Sequence, residues 1–169
     1  KSYSFWQDAK RRFIASPSFI TGITLLVIIF AIALIGPIIS SHSYYAIHLP
    51  LKNIAPSSHF WFGSDELGRD VFTRACCGCR ISLLVGITAA IIDVFIGVII
   101  GTIAATSSKT IDNLLMRACD IISAIPNLLT VILLLVVLGP GLTTIIISLT
   151  ITGWINMARI VRGQVLQLK

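Results

Sequence analysis

"FITGITLLVIIFAIALIGPII", residues 19–39, carries no charged side chain. A run of about 20 apolar residues, wound as an α-helix, crosses a bilayer core of roughly 30 Å. Ser16 and Pro17 stand just before it as an N-cap and a first helical residue, and Gly36-Pro37 is expected to bend or end it. The stretch makes lipid the solvent, and the composition agrees. Hydrophobic residues make up 56% of the chain and charged residues 12%, with a mean hydropathy of +0.94. An average globular domain is roughly 25% charged. A soluble chain of 169 residues has no interior large enough to hide this much apolar surface.

Before this span, Phe5, Trp6, Ala9 and Phe13 recur near helical spacing, with Lys10, Arg11 and Arg12 beside them. That pattern predicts a helix lying on a headgroup layer. No cleavage site closes the apolar run, so the start does not read as a signal peptide. After the span, residues 40–62 are polar, aromatic and dotted with proline, and they predict a loop outside the membrane. His42, His48 and His59 fall in that loop at spacings that make no metal motif.

A second membrane helix is expected from about Ile81 to Ala105. Ser82, Gly86 and Ala90, then Gly97, Gly101 and Ala105, form a small-residue stripe that lets another helix approach closely. Asp93 shares the stripe. An ionisable group at that depth must face protein or water, so it reads either as a pathway carboxylate or as a hydrogen-bonded packing residue. A third segment runs from Thr110 to Leu138, about 43 Å if helical throughout, and so begins outside the lipid. Arg117 and Asp120 can pair within it, and Pro126 should kink it. "LGPGL" (138–142) is a turn, and a fourth helix follows from Thr143 to about Ala158, with a continuation through Arg159 and Arg162.

Charge sets the orientation. With the N-terminus in the cytoplasm, Lys1, Lys10, Arg11, Arg12, Lys109, Arg117, Arg159, Arg162 and Lys169 lie inside. Only Lys52, Arg69, Arg74 and Arg80 lie outside, as the positive-inside rule prefers. The net charge of +6 is spread along span edges, which does not describe a nucleic-acid face. Cys76, Cys77, Cys79 and Cys119 match no zinc spacing and read as small apolar residues. No phosphate loop, nucleophile elbow, HExxH or dinucleotide fingerprint occurs, so no catalytic, cofactor or metal residues are assigned.

The densest charge lies in "FGSDELGRD" (62–70). Read as a helix starting near Ser64, it pairs Asp65 with Arg69 and Asp70 with Arg74, each four apart. Asp65, Glu66, Arg69, Asp70 and Arg74 then form an interfacial elbow whose charges are satisfied locally.

The blocks around it carry a resemblance. "HFWFGSDELGRDVFTR" (59–74) closely resembles the "WFGTDELGRDVFSR" signature of the second permease subunit of bacterial dipeptide/oligopeptide ABC importers. "FWQDAKRRFIASP" (5–17), "RISLLVG" (80–86), "DNLLMRACDIISAIPNLL" (112–129), "LGPGL" and "ARIVRGQVLQLK" (158–169) resemble that subunit's other blocks, in order. Cys76, Cys77 and Cys79 depart from the pattern, as does Asp93, which stands where apolar or small residues are usual.

The resemblance implies an all-α polytopic protein of the type I ABC importer class with about four of the subunit's six membrane helices. Residues 1–74 would be an N-terminal permease segment, and 75–169 the start of the transmembrane domain, stopping before the ATPase-coupling loop. The chain is therefore expected to be partial. The implied setting is the bacterial cytoplasmic membrane, with a homologous permease subunit, two cytoplasmic ATPases, an extracytoplasmic peptide-binding protein and lipid as partners. ATP hydrolysis would belong to the separate ATPases. Asp93 and Asn127 are the candidate pathway residues and Pro126 the candidate hinge. The alternatives are a permease for nickel or another small solute, and a membrane assembly protein without transport.

Overall fold

The computed structural model describes Arg11 and residues 13–168. Most of the expected interfacial helix lies outside the described residues; Arg11 and Phe13–Ala15 are helical. The elements that follow are α1 (Pro17–Ile39), a short 3-10 turn (Leu49–Leu51), α2 (Val71–Thr106), α3 (Lys109–Ser123), α4 (Asn127–Leu138) and α5 (Leu142–Gln167). There is no named strand among the described residues. Among those residues an isolated β-bridge pairs Ser64 with Asp70. α1, α2 and α5 are long and apolar enough to cross a membrane, and the bent pair α3–α4 adds a fourth crossing if it counts as one span. The fold is all-α and membrane-spanning, as lipid requires of backbone that must satisfy its own hydrogen bonds.

Two expectations need correction. α2 starts at Val71, not Ile81, and its 36 residues reach about 54 Å. Arg80 and Arg74, ahead of the expected start, find partners in this first part of the helix: Arg80 Nη2 donates to the Leu34 carbonyl at 3.3 Å, and Arg74 Nη1 to the Tyr44 carbonyl at 3.5 Å. Pro126 does more than kink one long helix. α3 and α4 are separate helices bent by 75°. A proline disfavours the helical conformation in the residue before it, so α3 closes through Ala124 and Ile125, and Pro126 stands as the N-cap of α4. α1 ends at Ile39, two residues past Pro37, where the apolar run was expected to stop. The fourth helix does continue through Arg159 and Arg162, to Gln167.

The chain forms two compact units, Lys1–Leu83 and Leu84–Lys169. In the first, α1 meets the start of α2 at Gly36, where an added Cβ would collide with the Cys76 side chain. Cys76 is buried, a small apolar packing residue as its sequence context suggested.

In the second unit α5 is the central element. Gly97 and Gly101 of α2 press on it so closely that a Cβ on Gly97 would stand 2.6 Å from Met157 Cβ and 2.9 Å from the Trp154 carbonyl. A Cβ on Gly101 would stand 2.9 Å from Val161 Cβ. Small residues that let helix backbones meet are the usual device where lipid removes any hydrophobic drive between helices. Only the second half of the expected stripe is used this way: Ser82, Gly86 and Ala90 are exposed, and Gly86 has open space beside it. The contrast sets a test. Gly97→Leu should destabilise the chain in detergent by about 1–3 kcal/mol through overpacking, whereas Gly86→Leu should be neutral or slightly stabilising. Thermal unfolding followed by circular dichroism separates the two, and equal losses would contradict the packing.

Candidate functional site

Two polar constellations stand out. The first is the 62–70 elbow, which is not a helix. Gly63 and Gly68 have φ of 76° and 73°, a left-handed conformation that breaks helical continuity. Side chains are also excluded there, because a Cβ would strike the Ile54 or the His48 carbonyl. The segment is a knot of turns organised by Asp65. Its Oδ1 accepts from the Leu67 and Arg69 amides at 2.9 and 3.0 Å, and its Oδ2 from Arg69 Nε at 2.7 Å. The expected Asp65–Arg69 pair is therefore present, with Asp65 as a turn-former rather than a helix residue.

The expected Asp70–Arg74 pair is absent. Arg74 Nε lies 3.6 Å from Asp65 instead. Asp70 caps α2, its Oδ2 accepting from the Thr73 amide at 2.9 Å and from the Thr73 hydroxyl. Ser40, at the end of α1, reaches the same group: its Oγ lies 3.4 Å from Asp70 Oδ2 and 2.5 Å from Thr73 Oγ1. Glu66 is exposed.

The second constellation lies on α5. Asp93 of α2 abuts Gly153, where an added Cβ would fall 2.7 Å from the Asp93 Cγ. Asn127, the first residue of α4, accepts from the Thr152 hydroxyl at 3.4 Å. Two polar residues 34 positions apart in sequence thus converge on adjacent positions of one helix. Asp93 Oδ1 is buried and has no hydrogen-bond partner. Sequence reasoning chose both residues separately. It had no signal that Thr152 and Gly153 would bring them together.

Toward its C-terminal end α5 is clamped to α3. Arg162 makes a two-pronged contact with Asp112, Nε to Oδ1 at 2.5 Å and Nη2 to Oδ2 at 2.6 Å. Arg159 Nη2 bonds Asp120 at 2.9 Å and Ser123 at 3.3 Å. Asp120 was expected to pair with Arg117 on its own helix, but a partner on α5 takes it instead. The two-pronged guanidinium–carboxylate contact of Arg162 with Asp112 fixes angle as well as distance. No group of three or more His, Cys, Asp or Glu that could hold a metal occurs among the described residues.

These arrangements sit in a chain with clear relatives. The family described as "N-terminal TM domain of oligopeptide transport permease C" matches residues 4–56, and "Binding-protein-dependent transport system inner membrane component" matches residues 97–169. The chain belongs to the binding-protein-dependent inner-membrane permease family. It is 52% identical over 168 residues to the dipeptide transport system permease protein DppC of Bacillus subtilis, covering 99% of this chain and 52% of that protein. It is 50% identical over 169 residues to the oligopeptide transport system permease protein OppC of the same organism, covering 100% of this chain and 55% of that one. Against OppC of Escherichia coli the identity is 35% over 168 residues, or 98% of this chain and 56% of the relative. The chain spans about half the length of the curated relatives it matches.

The elbow of this permease chain carries a pH signature. Two amide donors and the Arg69 guanidinium hold the Asp65 carboxyl down at about 2, the Arg69 amide contributing most. A depressed value means that the carboxylate's hold on the loop is complete above the ordinary value near ~3.9. It is lost as pH falls through about 2. Carbon-13 NMR of the Asp65 carboxyl should titrate in that low range, and Asp65→Ala should free the 62–70 loop at neutral pH. A midpoint at the ordinary value would contradict the turn.

Proposed function

We propose that this chain is the N-terminal part of a permease subunit that moves di- or oligopeptides across the bacterial cytoplasmic membrane. The observation that carries the proposal is half-identity over essentially its whole length to a dipeptide and an oligopeptide permease. Residues 1–74 serve as the N-terminal permease segment and 75–169 as the start of the transmembrane domain. The N-terminus lies in the cytoplasm, which puts the elbow of Asp65, Glu66, Arg69, Asp70 and Arg74 on the outer face, toward a peptide-binding protein. A homologous permease subunit and two ATPases complete the importer, and those ATPases supply the chemistry.

Asp93 and Asn127 act as the polar focus of the pathway. Both meet α5 at Thr152–Gly153, where a peptide's amide and amino groups find partners that lipid cannot supply. Pro126 is the hinge: it already divides α3 from α4, and motion there tilts Asn127 without breaking further helix hydrogen bonds. In this account the Arg162–Asp112 and Arg159–Asp120 pairs tie the cytoplasmic end of α5 to α3, so that α3 and α5 move as one piece.

Uptake of a labelled dipeptide by cells carrying the full-length subunit tests the proposal. Asp93→Asn should lower the initial rate about tenfold, or ~1.4 kcal/mol of barrier, at unchanged membrane abundance. Full uptake by the variant would remove Asp93 from the pathway. Loss of nickel uptake with intact peptide uptake in a strain lacking the subunit would overturn the substrate class.

A further inference from the structure

Two cavities of the first unit meet at one wall. An apolar groove of about 550 Å³ runs between α1 and the first turns of α2, from Ala31 and Cys79 at one end to Ile39, Phe62 and Phe72 at the other. Next to it lies a polar cavity of about 150 Å³, bordered by Ser41, His42, Ser58, His59 and Asp70 among others. Ile39 and Phe72 line both spaces. Ile39 is the last residue of α1, so the shared wall stands at the end of the first span, where hydrocarbon gives way to headgroups.

The groove follows from the sequence. Gly36 lies against Cys76 and keeps the two helices close, while Ala31 and Ala75 put little bulk into the space beside that contact. Its lining side chains are all aliphatic, aromatic or thiol. From Ala31 to Ile39 the wall is about 12 Å long at the α-helical rise.

The pair of spaces fits an amphiphile. The groove takes an apolar chain. The cavity offers donors to a polar head: the exposed Ser41 and Ser58 hydroxyls, and the imidazole N–H groups of half-buried His42 and exposed His59. Asp70 is 3% exposed and its Oδ2 accepts from the Thr73 amide, so it acts on a guest through its charge rather than by contact. That charge disfavours a purely anionic head. A zwitterionic phospholipid meets each condition, because its ester and phosphate oxygens accept hydrogen bonds and its ammonium balances the phosphate. A neighbouring membrane helix would fill the groove but leave the cavity's donors against apolar side chains.

We propose that α1 and the start of α2 hold one zwitterionic phospholipid, with an acyl chain in the groove and its phosphate and ester oxygens among the serine and histidine donors. The site depends on the membrane-spanning fold, not on peptide transport or on Asp93.

Photocrosslinking of the full-length subunit, alone and in the assembled importer, tests it. The probe is a phosphatidylethanolamine with a diazirine in one acyl chain, diluted into phosphatidylglycerol nanodiscs. Adducts on 31–39 and 72–79, mapped by mass spectrometry, should saturate with probe and be displaced by unlabelled phosphatidylethanolamine. A diazirine fatty acid should label the same segments without saturating. Ser41→Val combined with Ser58→Val removes two donors and should raise the half-saturating probe concentration about tenfold. Ala75→Trp, at an exposed position, should abolish the saturable adducts by filling the groove with both serines intact.

Labelling in simple proportion to the probe overturns the proposal. So does equal saturation by a phosphatidylglycerol probe, or saturation unchanged in both variants. Adducts present on the lone subunit and lost in the assembled importer overturn it as well, since a partner helix then fills the groove.

Discussion

The second half of the molecule depends on one close approach. Gly97 and Gly101 bring the backbone of α2 against α5, and that contact leaves Asp93 facing Gly153 with no room for a larger residue. In lipid, helices gain little from burying apolar surface against each other, so backbone proximity and a few polar contacts must hold the pair. α5 then gathers the rest. Asn127 reaches it at Thr152, and two arginines near its C-terminal end hold α3. A single helix thus sets the positions of three others.

The elbow solves a different problem: how to turn the chain out of one long apolar helix and into the next. Asp65 folds the turn on itself, Asp70 caps α2, and Ser40 ties the cap to the end of α1. Each carboxylate satisfies backbone amides that would otherwise be left bare at a membrane boundary. Neither is placed as a free catalytic acid. The stretch is a joint.

Much of this architecture was legible in the sequence. The charge-free run of 19–39 shows the first span, the glycine spacing shows one face of α2, and the order of motif blocks shows the family. The failures have physical causes. Helical spacing in 64–74 suggested a helix with two salt bridges four apart; Asp65–Arg69 forms and Asp70–Arg74 does not, because Gly63 and Gly68 occupy left-handed conformations and Asp70 caps α2 instead. Asp120 has a nearby arginine in sequence and takes a distant one in space, because α5 presents Arg159 alongside it. Composition also cannot show which small residues meet a neighbour: Gly86 and Gly97 look alike in the sequence and differ entirely in their surroundings.

The contact of Asp93 with the backbone of α5 can be measured directly. A Cβ on Gly153 would stand 2.7 Å from Asp93 Cγ, which with a carbon–carbon bond of about 1.5 Å puts the Gly153 Cα within roughly 4.2 Å. Solid-state carbon-13 correlation spectra of the chain in lipid bilayers, with aspartate Cγ and glycine Cα labelled, measure that proximity directly. A cross-peak is expected at short mixing time, and it should disappear in Asp93→Ala. Its absence from the unsubstituted chain would contradict the α2–α5 packing on which the proposed pathway rests.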